Sequence, residues 1–94
     1  MYVDNETRRK LRNRLRRANG QLAGVERALD ETDDCIDLLN QLAAVEGALA
    51  KARAVLLTHH IESCVAGALE SGDAESRDVL VDELMDVIGK QLGR

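Results

Sequence analysis

The sequence predicts an all-α fold, a three-helix protomer with one long central helix. Three observations carry this. Apolar residues recur at alternating spacings of four and three along most of the chain. The chain has no Pro, Trp or Phe and a single Tyr2, so its core must be assembled from Leu, Val, Ile and Ala, a set that favours packed helices over sheets. The turn signals are short and fall at Thr32-Asp33 and Ser71-Gly72.

The first helix is expected over Asn5 to Glu31, with Leu11, Leu15, Ala18, Leu22, Val25 and Leu29 as its apolar stripe. Gly20 and Gly24, four apart on one face, would admit close approach of another backbone. The second helix is expected to start after Thr32 or Asp33 as the cap and to continue to about Leu69. Leu38, Leu42, Val45, Leu49, Ala52 and Leu56 repeat the spacing, and the small-residue middle from Ala43 to Ala50 suits the crossing of a second long helix. The third helix, capped by Asp73 or Ser76, is expected from about Glu75 to Gln91 with Leu80, Leu84, Val87 and Ile88 facing inward. No internal repeat or low-complexity segment interrupts this pattern, and residues 1–94 read as one domain.

A chain of 94 residues struggles to bury enough apolar surface alone, so self-association is expected. No apolar run approaches the roughly 20 residues needed to cross a bilayer, and no secretory stretch is visible. The expectation is a cytoplasmic protein with no membrane partner. Two cysteines make no disulfide scaffold and, in a reducing compartment, are better read as ligands or redox groups.

The net charge of −4 hides an asymmetry. Residues 1–17 carry +5, through Arg8, Arg9, Lys10, Arg12, Arg14, Arg16 and Arg17, whereas residues 18–94 carry −9. A basic stripe on an acidic body fits a protein that binds double-stranded DNA, and the lack of aromatics argues against single-strand binding. The same cations could also form an ordinary solvated helix face.

His60 and Cys64 are four apart and so share one helix face, where both can reach one ion. Cys35 is the third candidate, 25 residues before His60, or about 38 Å along a continuous helix at ~1.5 Å per residue. No metal spans that distance. Two such helices running antiparallel would set Cys35 of one chain beside His60 and Cys64 of its partner, and the midpoint of that arrangement falls near Ala48, in the small-residue stretch. Two thiolates and an imidazole form a soft set, suited to Cu(I), zinc or other thiophilic ions, and three ligands without a fourth favour low-coordinate Cu(I) over structural zinc. Buried cysteine as a small hydrophobe is the plainer alternative. His59, about 100° around the helix from His60, reads as a surface residue or a support rather than a ligand.

These residues resemble the CsoR/RcnR family of metal- and thiol-responsive repressors. The similarity extends from Arg8 to Gly89 and is most specific in Arg14 to Gln21, in Asp34 to Val45 and in His60 to Cys64. It implies a three-helix fold forming antiparallel dimers that assemble into a tetramer, without a conventional helix-turn-helix. It also implies Cys35, His60 and Cys64 as copper ligands bridging two protomers, Arg14 and Lys51 as contacts to operator DNA, and Glu83 as the glutamate linking the bound histidine to the third helix. Nickel and cobalt sensors of the family add an N-terminal histidine where this chain has Val3, and carry histidine at the position of Cys64. The formaldehyde sensors need a proline, which is lacking, and the persulfide sensors lack the histidine matching His60. Asp34 departs from the pattern, since some copper sensors place tyrosine there.

The expectation is a copper(I)-responsive repressor that binds operator DNA when metal-free and releases it on Cu(I) binding, derepressing genes of copper export or buffering. Two alternatives stay open: a persulfide- or oxidant-responsive repressor using the Cys35 and Cys64 thiols, and a cytosolic copper-binding protein without DNA activity. No enzyme and no small-molecule substrate are expected, because no orienting group or oxyanion donor accompanies His60 and Cys64.

Overall fold

The computed structural model describes residues 2–92, apart from the side chain of Ser71. Three helices follow one another in this range: α1, Asn5–Glu31; α2, Cys35–Ser71; and α3, Ala74–Gln91. Helix α1 keeps the bounds expected from its periodicity. Asp4, extended at φ −76° and ψ 169°, caps it, and its Oδ1 accepts from the Thr7 amide at 2.7 Å. At the other end Thr32 turns the chain extended while its amide still reaches the Ala28 carbonyl at 3.0 Å.

The cap of α2 is one residue later than expected. Neither Thr32 nor Asp33 caps it; Asp34 does, its Oδ1 accepting from the amides of Ile36 at 3.0 Å and Asp37 at 3.3 Å. Thr32 Oγ1 instead accepts from the Asp34 amide at 3.0 Å, which sets Asp34 in place to cap. This gives Asp34 a structural task where a resemblance alone showed only a departure. Asp34→Ala is therefore expected to cost about 1 kcal/mol of stability. Urea unfolding measures it, with Asp33→Ala as the control that should change little.

Helix α2 outlasts its expected end at Leu69 and stops at Ser71, because Gly72 adopts φ +65°, a conformation glycine takes without steric cost. Helix α3 begins at Ala74 under Asp73. The Asp73 Oδ1 accepts from the Glu75 amide at 3.1 Å, and Ser76, rather than capping, donates its hydroxyl to Asp73 Oδ2 at 3.0 Å. Among the described residues no helix is long and apolar enough to cross a membrane.

The chain forms two compact units. In the first, residues 3–56, α1 packs on the N-terminal part of α2 through a narrow seam of Ala18, Val25, Ala28, Val45 and Ala52, all buried. Leu11 and Leu38 of the expected stripes are half-buried beside it, but the other leucines do not join that seam. Leu15, Leu22 and Leu29, and Leu42, Leu49 and Leu56, are between 37% and 62% exposed. The physical reason is that two helices in contact bury only one row of each four-three pattern, and this unit has no third layer to cover the other. Gly20 has nothing within 4 Å of the position a Cβ would take, and Gly24 only the Arg27 side chain, so within the protomer the space beside both stays open.

The second unit comprises Tyr2 and the chain from Leu57 onward. Here the end of α2 packs on α3, with Leu80, Leu84, Val87 and Ile88 half-buried as expected and Gly67 against the Leu80 side chain at 3.9 Å.

Candidate functional site

The two candidate sites lie in different parts of the chain. In the second unit, His60 and Cys64 occupy successive turns of α2, where helix geometry sets them on one face. His60 is half-buried, whereas Cys64 is only 5% exposed. The Cys64 thiol donates to the Leu80 carbonyl of α3 at 3.4 Å, so the sulfur already joins two helices. His59, the neighbour of His60, donates Nε2–H to the Tyr2 carbonyl at 2.9 Å, which gives it a structural partner away from the ligand pair.

Cys35 belongs to the first unit. It is the first residue of α2, directly after the Asp34 cap, and its thiol is free and exposed. No group of three or more His, Cys, Asp or Glu side chains able to hold a metal occurs within one chain among the described residues. Chemically, the available donors are soft: two sulfurs and one imidazole nitrogen. That set fits a thiophilic cation and fits calcium or magnesium poorly. Glu83, one turn beyond Leu80 on α3, is exposed.

The cations of α1 separate into two groups once the helix is formed. Arg14 and Arg17 line a concave site of about 210 Å³ with Gln21, Ala44, Gly47, Ala48 and Lys51. Gly47, Ala44 and Ala48 keep its α2 wall low, and the long basic side chains rise around it. Three cations and no carboxylate line this hollow, an arrangement suited to a phosphate oxygen. Arg14 and Lys51, separated by 37 positions in sequence, thus share one surface. Arg8 sends Nε–H to the Val3 carbonyl at 3.3 Å, and Lys10 pairs with Glu6 at 3.8 Å, a weak and exposed ion pair. Arg9, Arg12 and Arg16 are exposed on another side of α1.

Sequence reasoning missed two contributors. Gln21 was legible as a neighbour of Arg14 and Arg17 at spacings of seven and four. The Leu80 carbonyl carried no signal at all, because a backbone acceptor is visible only once two helices pack.

The chain is similar to known proteins in sequence and in fold. Residues 7–90 match the model of a family described as metal-sensitive transcriptional repressors. The chain is 38% identical over 78 residues to the copper-sensing transcriptional repressor CsoR of Bacillus subtilis, covering 83% of this chain and 74% of that one. It is 37% identical over 76 residues to CsoR of Mycobacterium ulcerans, covering 81% of this chain and 62% of that longer one. Among solved structures it is similar to the copper-sensing repressor CsoR with Cu(I) from Geobacillus thermodenitrificans, with a TM-score of 0.76 and 35% identity over 100% of this chain and 94% of that one. It is also similar to the nickel-responsive transcriptional regulator InrS, with a TM-score of 0.73 and 32% identity over 92% of this chain and 97% of that one.

Proposed function

Because this chain belongs to the family of metal-sensitive transcriptional repressors, we propose that it is a cytoplasmic copper(I) sensor that holds operator DNA when metal-free and releases it when Cys35, His60 and Cys64 take up the ion. The observation that carries this reading is the donor set, with Cys35 opening α2 and His60 and Cys64 one turn apart near its far end. Two sulfurs and one nitrogen suit copper(I) in low coordination. Neither Val3 nor Cys64 offers the harder nitrogen donors that a nickel ion prefers.

Along a continuous helix the first ligand stands about 38 Å from the other two, so the site is built by two chains running antiparallel. Leu42, Leu49 and Leu56, exposed in one protomer, supply apolar surface for that pairing, and Leu15, Leu22 and Leu29 supply more for a tetramer. Copper(I), when bound, would supply a soft cation in place of the thiol protons, which would pass to solvent. The Cys64 sulfur would then no longer donate to the Leu80 carbonyl, and α3 would lose one of its ties to α2. Glu83, on the same helix as Leu80, would answer the ligated His60 through a hydrogen bond to its ring. Operator DNA lies on the Arg14, Arg17 and Lys51 surface, held mainly through phosphates. The effect of copper on DNA affinity equals the difference in DNA affinity between the two states of the protein.

Mixing two variants tests the shared site. Cys35→Ala and Cys64→Ala each remove a ligand from both sites of a homodimer, and neither is expected to bind copper(I) tightly. After unfolding and refolding the two together, each mixed dimer regains one complete site. Random pairing restores about a quarter of the wild-type sites. Titration with a competing copper(I) chelator counts them; no recovery would rule out a site shared between chains.

A further inference from the structure

We propose that Arg9, Arg12 and Arg16 form a second phosphate-binding stripe that engages a different stretch of duplex DNA from the one held at the Arg14, Arg17 and Lys51 groove. This rests on the reading of the chain as a DNA-binding repressor. Helical geometry supplies the first argument. At about 100° per residue, Arg14 and Arg17 centre on one side of α1, and Arg9, Arg12 and Arg16 centre about 135° away around the axis. A duplex lying across the surface that α1 shares with α2 at Arg14, Arg17 and Lys51 rests on one side of α1 and leaves a face turned that far from it uncovered. The stripe therefore meets another segment of DNA or none.

The second argument is electrostatic. Surface cations on helices are commonly offset by an acidic residue one turn away. Here Arg12 has Arg8 and Arg16 at the four-residue spacings, and Arg16 has Arg12 and Gly20. The sole carboxylate one turn from Arg9 is Glu6, which pairs with Lys10. Like charges at that spacing oppose the helix, and among the described residues no ion pair relieves them. A polyanion does. The three guanidinium groups span about 10 Å along α1, enough to follow two to three phosphates of one strand. Acidic residues take over in the last turns of the helix, from Glu26 to Glu31, so the stripe is confined to its first half.

A consequence is that one repressor assembly holds two duplex segments, drawing distant or flanking DNA together. The test uses the full-length chain on an immobilised mixed-sequence duplex, washed and then exposed to a second, fluorescent duplex at low salt. Wild type is expected to retain the second duplex. The triple variant R9Q/R12Q/R16Q, which keeps good helix formers, is expected to lose at least tenfold of that capture while its affinity for the first duplex changes less than about threefold. Helicity by circular dichroism confirms that the variant is folded. Capture left intact in the variant overturns the proposal, because the stripe is then a solvated face. So does loss of first-duplex affinity in step with capture, because one interface then uses all the cations, and so does a wild type that binds one duplex and captures no second. If wild type binds no duplex at all, it is the repressor reading itself that fails.

Discussion

Cys35→Ser is expected to abolish copper(I)-driven release of DNA while leaving the metal-free protein folded and bound. The effect is large because it removes one of three ligands in a low-coordinate site, and hard hydroxyl oxygen does not replace soft sulfur for copper(I). Coupling between two ligands of this kind commonly changes affinity by about 5- to 150-fold, and without the ligand that factor should fall to about one. Cys35 is the informative position because its side chain is exposed, so the change should shift stability by less than about 0.5 kcal/mol. Cys64 cannot be used as cleanly. It is buried and bonded to Leu80, and its removal disturbs the packing of α2 on α3 as well as ligation. Anisotropy of labelled operator DNA during an anaerobic copper(I) titration reads the outcome. A serine variant that releases DNA as wild type does would remove Cys35 from the sensor.

Arg14→Ala combined with Lys51→Ala should weaken DNA binding by at least a hundredfold at moderate salt. Each side chain lines the same hollow, and a dimer presents each twice, so about four charges leave the interface. With each neutralised phosphate contributing about −0.9 to the slope of log affinity against log salt, the slope should become shallower by roughly 3 to 4. Loss of affinity with an unchanged slope would mean that the variant damaged the fold or a base contact rather than a phosphate contact. Copper(I) affinity measured without DNA should be unchanged, since neither Arg14 nor Lys51 supplies a ligand.

Much of this was legible in the sequence, for reasons specific to particular residues. Helix α1 was legible because an unbroken four-three apolar run from Leu11 to Leu29 marks it. The start of α2 was misread by one position because Thr32, Asp33 and Asp34 are all competent caps, and only the fold decides which has the free amides of Ile36 and Asp37 before it. Periodicity found the apolar rows but could not say which row a two-helix unit would bury. That choice depends on the number of packed layers, and it left the row of Leu15, Leu22, Leu29, Leu42, Leu49 and Leu56 outside and the row of Ala18, Val25, Val45 and Ala52 within. For the site, residue type and the four-residue spacing sufficed to mark His60 and Cys64, and Cys35 followed from chemistry. What stayed hidden was the hydrogen bond from Cys64 to the third helix, and the splitting of one basic cluster into two faces.

The unequal exposure of the two cysteines also sets an order of events in time. Cys35 stands open at the tip of its helix, whereas Cys64 lies beneath α3 with its sulfur tied to a backbone carbonyl. Any soft electrophile or metal delivered on a small carrier thiol meets Cys35 at the speed of an open thiol. It reaches Cys64 only as often as the packing of α2 on α3 opens locally. On the proposed sensor reading, the pace of the response would follow the opening of that one helix contact, and a substitution that loosens α3 would shorten the response time without touching a ligand.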